Sequence, residues 1–347
     1  MVATHEFMTL PELRRAAHRN LPLEVWDYLS GGAETEAALR GNHRAMSHYA
    51  FRPRVLHDVS HPDTSTTFLD LPLAVPIMTA PMGSTHLFHP DGDLALARAA
   101  GRQGTMHWLS TVCVYSPEEV AAAATGPLGF QLYFWSDNAW AEALIQRVEA
   151  AGFRALALTV DTPAYGRRER DIEKRYDPRS HRRAIDVPRN YQRQGSLTWK
   201  DVDWLRQTTR LPLGIKGIQT GEDARLAVEH GVSIIWISNH GGRQLDHSRA
   251  PVEAVAEVVD AVAGRAEVIV DGGFQRGTDV LKALALGARA VVIGKAAGWG
   301  LGAAGEEGVV RTLEILALEL RIAMANSGQA SLADVGPELL QRACQSR

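Results

Sequence analysis

Cysteine is nearly missing from this chain: Cys113 and Cys344 are the only two in 347 residues. Two thiols cannot build a disulfide framework, and no Cys/His spacing of the zinc-holding kind occurs. That usage fits a reducing compartment, so a cytoplasmic protein is expected. Charge of one sign is missing as well. Thirty-seven Lys and Arg stand against 40 Asp and Glu, a net charge of -3, so the basic excess of a nucleic-acid binder is absent. Long apolar runs are lacking too. A membrane span needs about 18 uninterrupted apolar residues, whereas stretches such as 283–295 carry Arg289 and glycines. Residues 1–13 show no basic start, apolar core and small-residue cleavage site, so no export signal is expected.

What is present is a 45% apolar, 22% charged composition, ordinary for a globular chain with a large core. From about residue 73, short apolar runs alternate with amphipathic or Ala-rich segments, the pattern of parallel strands joined by helices. Eight strands are predicted, at Leu73–Ala80, Met106–Thr111, Leu128–Phe134, Ala155–Asp161, Pro212–Gly217, Ile234–Asn239, Glu267–Asp271 and Ala290–Gly294. Helices are predicted at Asp91–Gln103, Pro117–Ala124, Ala139–Ala151, Thr198–Gln207, Gly221–His230, Val252–Val262, Thr278–Leu286 and Glu307–Ala325.

Eight such units in about 250 residues match a closed (β/α)8 TIM barrel better than an open doubly wound sheet, and the fold class is α/β. Residues 1–72, helical in pattern over Pro11–Leu29 and Glu34–Ala45, read as an N-terminal helical cap. The barrel spans 73–330 and a tail 331–347, within one structural domain overall. The longest irregular stretch, Arg167–Ser196, follows the fourth strand and is either a solvated loop or a lid.

Catalytic groups of such a barrel project from the C-terminal ends of its strands. Polar residues gather there: Gln131 and Tyr133, Thr159 and Asp161, Lys216, then Ser238, Asn239, His240 and Arg243. His240 follows an apolar run and precedes Gly241-Gly242, so the chain can turn sharply and present the imidazole; with Asp161 across the barrel it suits a general base. Arg168 and Arg243 are candidates for a carboxylate clamp, since guanidinium forks bind carboxylates bidentately, although spacing alone does not separate Arg168 from Arg167 and Arg170. Lys216, on a buried strand, needs an anion, either a structural partner or charge arising on a cofactor. Asp271-Gly272-Gly273 with Gln275 and Arg276, and Gly294-Lys295, place glycine backbones after the last two strands, where barrels hold a phosphate.

The segment Ser238-Asn239-His240-Gly241-Gly242-Arg243-Gln244-Leu245-Asp246 resembles the signature of the FMN-dependent 2-hydroxy acid oxidases and dehydrogenases. Similarity runs from about Leu21 to Leu332 and includes Phe130-Gln131-Leu132-Tyr133, Leu158 to Pro163 and Gly166-Arg167-Arg168-Glu169. The resemblance implies oxidation of an (S)-2-hydroxy acid to the 2-oxo acid, with His240 as base, Asp161 its partner, and Arg168 with Arg243 as the clamp. Tyr28 and Tyr133 would touch the substrate and Lys216 the N1 and O2 edge of the flavin. Pro81, Met82, Gly83, Ser110, Gln131, Thr159 and Ser238 would line its ring. A homotetramer is also implied.

Departures from the family pattern carry information. Val112 stands where glycolate oxidases have tryptophan after Leu-Ser-Ser, leaving room for a larger, mandelate-like substrate. Gln275 and Lys295 replace family arginines, shifting phosphate binding toward glycine amides, Lys295 and Arg276. Gly83 stands where many oxidases have alanine and some dehydrogenases and monooxygenases have glycine, which leaves oxygen or another electron acceptor open. The loop Tyr176–Gly195 lacks the apolar insertion of membrane-anchored members. Two other readings compete: a phosphate-binding barrel of another reaction class, and an anion-binding scaffold acting through Arg175–Arg193.

Overall fold

The computed structural model describes residues 7–178 and 190–343. Cys344 and most of the Arg175–Arg193 segment lie outside the described residues. The N-terminal segment contributes α1 (Leu10–Asn20), α2 (Leu23–Ser30) and α3 (Ala37–Arg44). The helical pattern over Pro11–Leu29 is therefore two helices, because Pro22 lacks an N–H and drives Leu21 to an extended conformation. α1 packs on the long final helix, and residues Tyr49–Phe51 form a short strand.

The barrel strands follow in order, interleaved with helices: β1 (Ile77–Thr79), α4 (Gly92–Arg102), β2 (His107–Ser110), α5 (Pro117–Ala123), β3 (Leu128–Leu132), α6 (Asn138–Ala150), β4 (Ala155–Thr159), α7 (Glu169–Glu173), α8 (Tyr191–Gly195), α9 (Trp199–Thr208), β5 (Leu213–Ile218), α10 (Gly221–Glu229), β6 (Ile234–Ile237), α11 (Pro251–Val262), β7 (Glu267–Asp271), α12 (Gly277–Ala285), β8 (Ala290–Ile293) and α13 (Lys295–Ser327). All pairings are parallel, and β8 closes on β1 with Val292 opposite Met78. The closed eight-stranded barrel predicted from the alternation is thus the observed fold.

Two of its elements differ from the sequence reading. The apolar run beginning at Leu73 is not one strand. Leu71–Leu73 instead pairs antiparallel with Thr66–Phe68, and the chain breaks at Pro76 before β1. This hairpin puts Phe68 and Leu73 into the barrel's lower mouth, against Met78, Trp108 and Trp236. The last helix begins twelve residues earlier than the predicted Glu307 and contains a break at Ala304–Gly305. The tail, in turn, carries a strand, Leu340–Arg342, that pairs with Tyr49–Phe51.

Inside the barrel, large and small residues interdigitate. Two indoles, Trp108 and Trp236, lie 4.9 Å apart at one level. Ala155, Ala157 and Gly129 make room for them. A Cβ on Gly129 would meet the Trp108 ring at 2.3 Å, and Trp108 cannot retreat because Phe68 and Trp236 flank it. Gly129→Ala is expected to destabilise the chain by about 1–3 kcal/mol, the usual overpacking range, read as a lowered denaturation midpoint. An unchanged midpoint would show that the two indoles can repack.

Candidate active site

β6 delivers the base-bearing turn. Beyond Ile237 the chain enters three left-handed residues in succession, His240 at φ 57, Gly241 at 65 and Gly242 at 74. Glycine adopts this freely and histidine does not, so the turn must be held. Ser238 Oγ accepts from the His240 N–H at 2.9 Å, and Asn239 Oδ1 accepts from the Gly242 N–H at 3.0 Å. Asn239 in turn exchanges amide hydrogen bonds with buried Asn42 of α3, at 2.9 and 2.7 Å.

His240 Nδ1 lies 2.7 Å from Asp161 Oδ1. The carboxylate can only accept, so Nδ1 carries the proton and Nε2 presents its lone pair, 3.4 Å from the Tyr133 hydroxyl. Burial first, then Lys216 and Arg168, push the imidazole below its usual value against the pull of Asp161. The ring is thus neutral at neutral pH. Burial works to raise Asp161, but His240 and Lys216 prevail and hold it below the usual carboxylate range.

Lys216 comes up on β5, buried, with its ammonium 2.7 Å from Ser238 Oγ, 3.3 Å from Asp271 and 3.6 Å from Asp161. Burial opposes its charge; the two carboxylates outweigh burial and raise it, so the cation persists at the cleft floor. Asp271 is itself fixed by Ser238 Oγ and by the Trp236 indole N–H.

Across from His240 stand the two arginines. The Arg243 guanidinium carbon lies 5.0 Å from the Tyr28 ring centre and that of Arg168 5.9 Å. Arg168 donates to Tyr165 Oη at 2.6 Å and Arg243 to the Gly31 carbonyl at 2.9 Å. Among the described residues neither has a carboxylate partner, and Arg168 Nε is buried with no acceptor. Burial and then Arg168 depress Arg243. Two cations forced together in this way constitute an anion site.

These groups line one cleft that opens to solvent at the barrel mouth. One wall is a polar ladder across the ends of β2, β3 and β4: Ser110 donates to Gln131 Oε1, and Gln131 Nε2 to Thr159 Oγ1, each at 2.8 Å. Pro81, Met82 and Gly83 form the facing rim, and the Tyr28 hydroxyl donates to the Gly83 carbonyl at 2.9 Å. At the far end lie Gly272 and Gly273, at φ 97 and 98, with Gln275, Gly294 and Lys295. The Lys295 ammonium donates to the Gly241 carbonyl at 2.9 Å, and its backbone opens α13.

Every residue given a catalytic, substrate or cofactor role from the sequence lines this cleft except three. Asp161 and Ser238 stand just behind it, touching His240 and Lys216. Arg276, expected beside the phosphate, is turned outward instead: it caps α12 and pairs with Glu319 of α13 at 3.0 Å. Sequence reasoning missed Tyr165, Tyr191, Trp135 and His43, which also line the cleft. Tyr165 adjoins the arginine run and Trp135 stacks on Tyr133, centroids 5.2 Å apart. The described part of the loop after β4 is largely exposed but is anchored to the barrel. Gln194 of α8 is buried, donating to the Thr159 carbonyl and accepting from the Phe134 N–H. Arg193 pairs with Asp201 at 2.7 Å.

The donor set suits FMN. The buried Lys216 ammonium, the Ser110–Gln131–Thr159 ladder, and the glycine amides with Lys295 at the start of α13 are the kinds of group that would hold a flavin edge, a flat ring and a phosphate. Among the described residues no helix is long and apolar enough to cross a membrane, and no metal-holding cluster occurs.

Comparison with known proteins agrees. The family described as FMN-dependent dehydrogenase matches residues 17–342. Glycolate oxidase 1 of Zea mays is 44% identical over 348 residues, covering 95% of this chain and 94% of its own. Glycolate oxidase of Spinacia oleracea is likewise 44% identical over 95% of this chain and 94% of its own. A crystal structure of mandelate oxidase with benzoyl-formic acid superposes with a TM-score of 0.90 at 41% identity, over 96% of this chain and 98% of that one. A mutant of an active chimera of (S)-mandelate dehydrogenase gives 0.91 at 33% identity, over 97% and 99%. The chain belongs to the FMN-dependent dehydrogenase family, the FMN-dependent oxidases and dehydrogenases of 2-hydroxy acids.

Proposed function

We propose that this enzyme oxidises an (S)-2-hydroxy acid with an aromatic side chain, of the mandelate type, to the 2-oxo acid. The observation that carries the reading is the convergence of a neutral imidazole, backed by a carboxylate, on a pair of arginines with no described carboxylate partner. Arg168 and Arg243 take the substrate carboxylate, which fixes the hydroxyl-bearing carbon near His240. Tyr133 hydrogen-bonds the substrate hydroxyl. Nε2 of His240 accepts the proton, from carbon or from the hydroxyl, and Asp161 stabilises the imidazolium that results. FMN, when bound, supplies the two-electron acceptor. Lys216 would supply positive charge at the flavin's pyrimidine edge, and the Gly272–Gly273 turn with Lys295 would hold its phosphate.

Support for an aromatic side chain comes from Val112 in the lining, together with Phe88 and Trp135. Burying a phenyl group contributes about 1.5–3 kcal/mol, so kcat/KM for (S)-mandelate is expected to exceed that for glycolate by roughly 10–150-fold. Anaerobic bleaching of the yellow protein by a panel of 2-hydroxy acids tests this, and reoxidation in air then tests oxygen as acceptor. Faster bleaching by glycolate would overturn the substrate reading, and failure of every 2-hydroxy acid would overturn the reaction. Family resemblance further supports a homotetramer, which light scattering checks.

The His240 shift sets a pH profile. The active base is the neutral ring, and its value lies below the usual imidazole figure of about 6.5. kcat/KM is therefore expected to stay level through neutrality and to fall about tenfold per pH unit on the acid side of that value. An acid limb centred above neutrality would remove His240 from the role.

A further inference from the structure

The phosphate end of the cleft is short of fixed positive charge. Beside the Gly272–Gly273 turn the lining offers a neutral amide, Gln275, and a single ammonium, Lys295. A phosphate monoester brings about -1.5 to -2 charges at neutral pH. Burial and then Arg243 and Arg168 push the Lys295 ammonium well down.

A second titratable group stands beside Gln275. His43 of α3 lines the cleft, with Nδ1 3.0 Å from the Gly273 carbonyl and Nε2 3.2 Å from Gln275 Nε2. The carbonyl can only accept, so Nδ1 bears the proton; the amide nitrogen can only donate, so Nε2 of the neutral ring faces it with a lone pair. A proton on Nε2 turns His43 into a cation held against the glycine turn itself.

We propose that His43 anchors the FMN phosphate, taking up a proton as the monoester settles on the Gly272–Gly273 turn and supplying the charge that Gln275 does not. This rests on the phosphate placement given under Proposed function. The charged groups facing His43 are Arg14 of α1 and Lys295 at the start of α13, both cationic; Gly273 and Gln275 of the loop after β7 are neutral. His43 is exposed to solvent; partial desolvation first, then these cations, hold the free ring below its usual value, with the Gly273 carbonyl pulling the other way. A nearby anion reverses that balance. Binding thus raises the imidazole pKa, so affinity is highest at acid pH and is lost as pH rises through the interval between the free and bound values.

The test titrates the full-length chain with FMN and with riboflavin, which lacks the phosphate, following quenched flavin fluorescence at about pH 6 and about pH 8. The FMN Kd is expected to rise about tenfold across this range, the equivalent of one pKa unit, while the riboflavin Kd changes less than about twofold. The phosphate's own second ionisation acts in the opposite direction, so the protein must be the source. His43→Gln is expected to weaken FMN at the acid pH and flatten the dependence. His43→Arg is expected to bind FMN tightly at both.

An unchanged riboflavin Kd shows that each variant is folded, and if His43→Gln fails that check, His43→Arg decides. A pH dependence that survives in His43→Gln, or persists in His43→Arg, overturns the proposal. Lys295→Met separates the two readings. If it weakens FMN selectively while His43 variants do not, only the role of His43 falls; if neither position distinguishes FMN from riboflavin, the phosphate placement falls.

Discussion

Replacing His240 by alanine is expected to slow anaerobic flavin bleaching by about 10²–10⁴-fold, the usual contribution of a positioned general base, while the protein stays yellow. Flavin retention follows from the geometry. The ladder Ser110–Gln131–Thr159, Lys216 and the Gly272–Gly273 turn are built without the imidazole. His240 is also in a left-handed conformation, which asparagine tolerates better than most residues, so His240→Asn keeps the turn and removes the base. Stopped-flow reduction of both variants should agree within a few-fold. A near-wild-type rate in either would leave the proton with another group.

Replacing Arg243 or Arg168 by methionine should act on substrate rather than on the base. Truncating one partner of a buried charge-assisted pair costs about 2–5 kcal/mol, so kcat/KM is expected to fall roughly 30-fold to 10³-fold or more, with the acid limb of the pH profile still present. The carboxylate clamp is bidentate in character, so Arg→Lys should recover little of the loss. Removing one guanidinium also relieves the other, since burial and Arg168 together depress Arg243. A double variant should therefore lose less than the sum of the two single losses. Full activity toward the carboxylic acid in either single variant would move the clamp elsewhere.

Much of this is legible in the sequence, for reasons that also mark where such legibility stops. Strands buried on both faces are continuous apolar runs, so Leu128–Leu132 or Glu267–Asp271 could be placed within a residue or two. Proline misled at the first strand, where the apolar character of Leu73 serves the plugging hairpin rather than β1. Glycine misled at the start of α13, since Gly298, Gly300 and Gly302 read against a helix that tertiary packing nevertheless imposes. Residues at strand ends were found because a barrel's chemistry sits there. His43, Tyr165, Tyr191 and Trp135 reach the cleft from two short helices and from loops, where no periodicity marks an inward side chain. The outward turn of Arg276 depends on a partner, Glu319, 43 positions away.

The reciprocal amide pair between Asn42 and Asn239 ties the stretch ahead of the barrel to the turn that carries His240. Tyr28 and His43 belong to that stretch as well. A core cut out from residue 73 onward would keep its staves and its imidazole, yet forfeit the aromatic ring between the arginines and the brace that keeps the imidazole aimed. The proposed site is therefore larger than the barrel, and a transplant of this chain's sixth-strand turn is expected to work only with its leading helices.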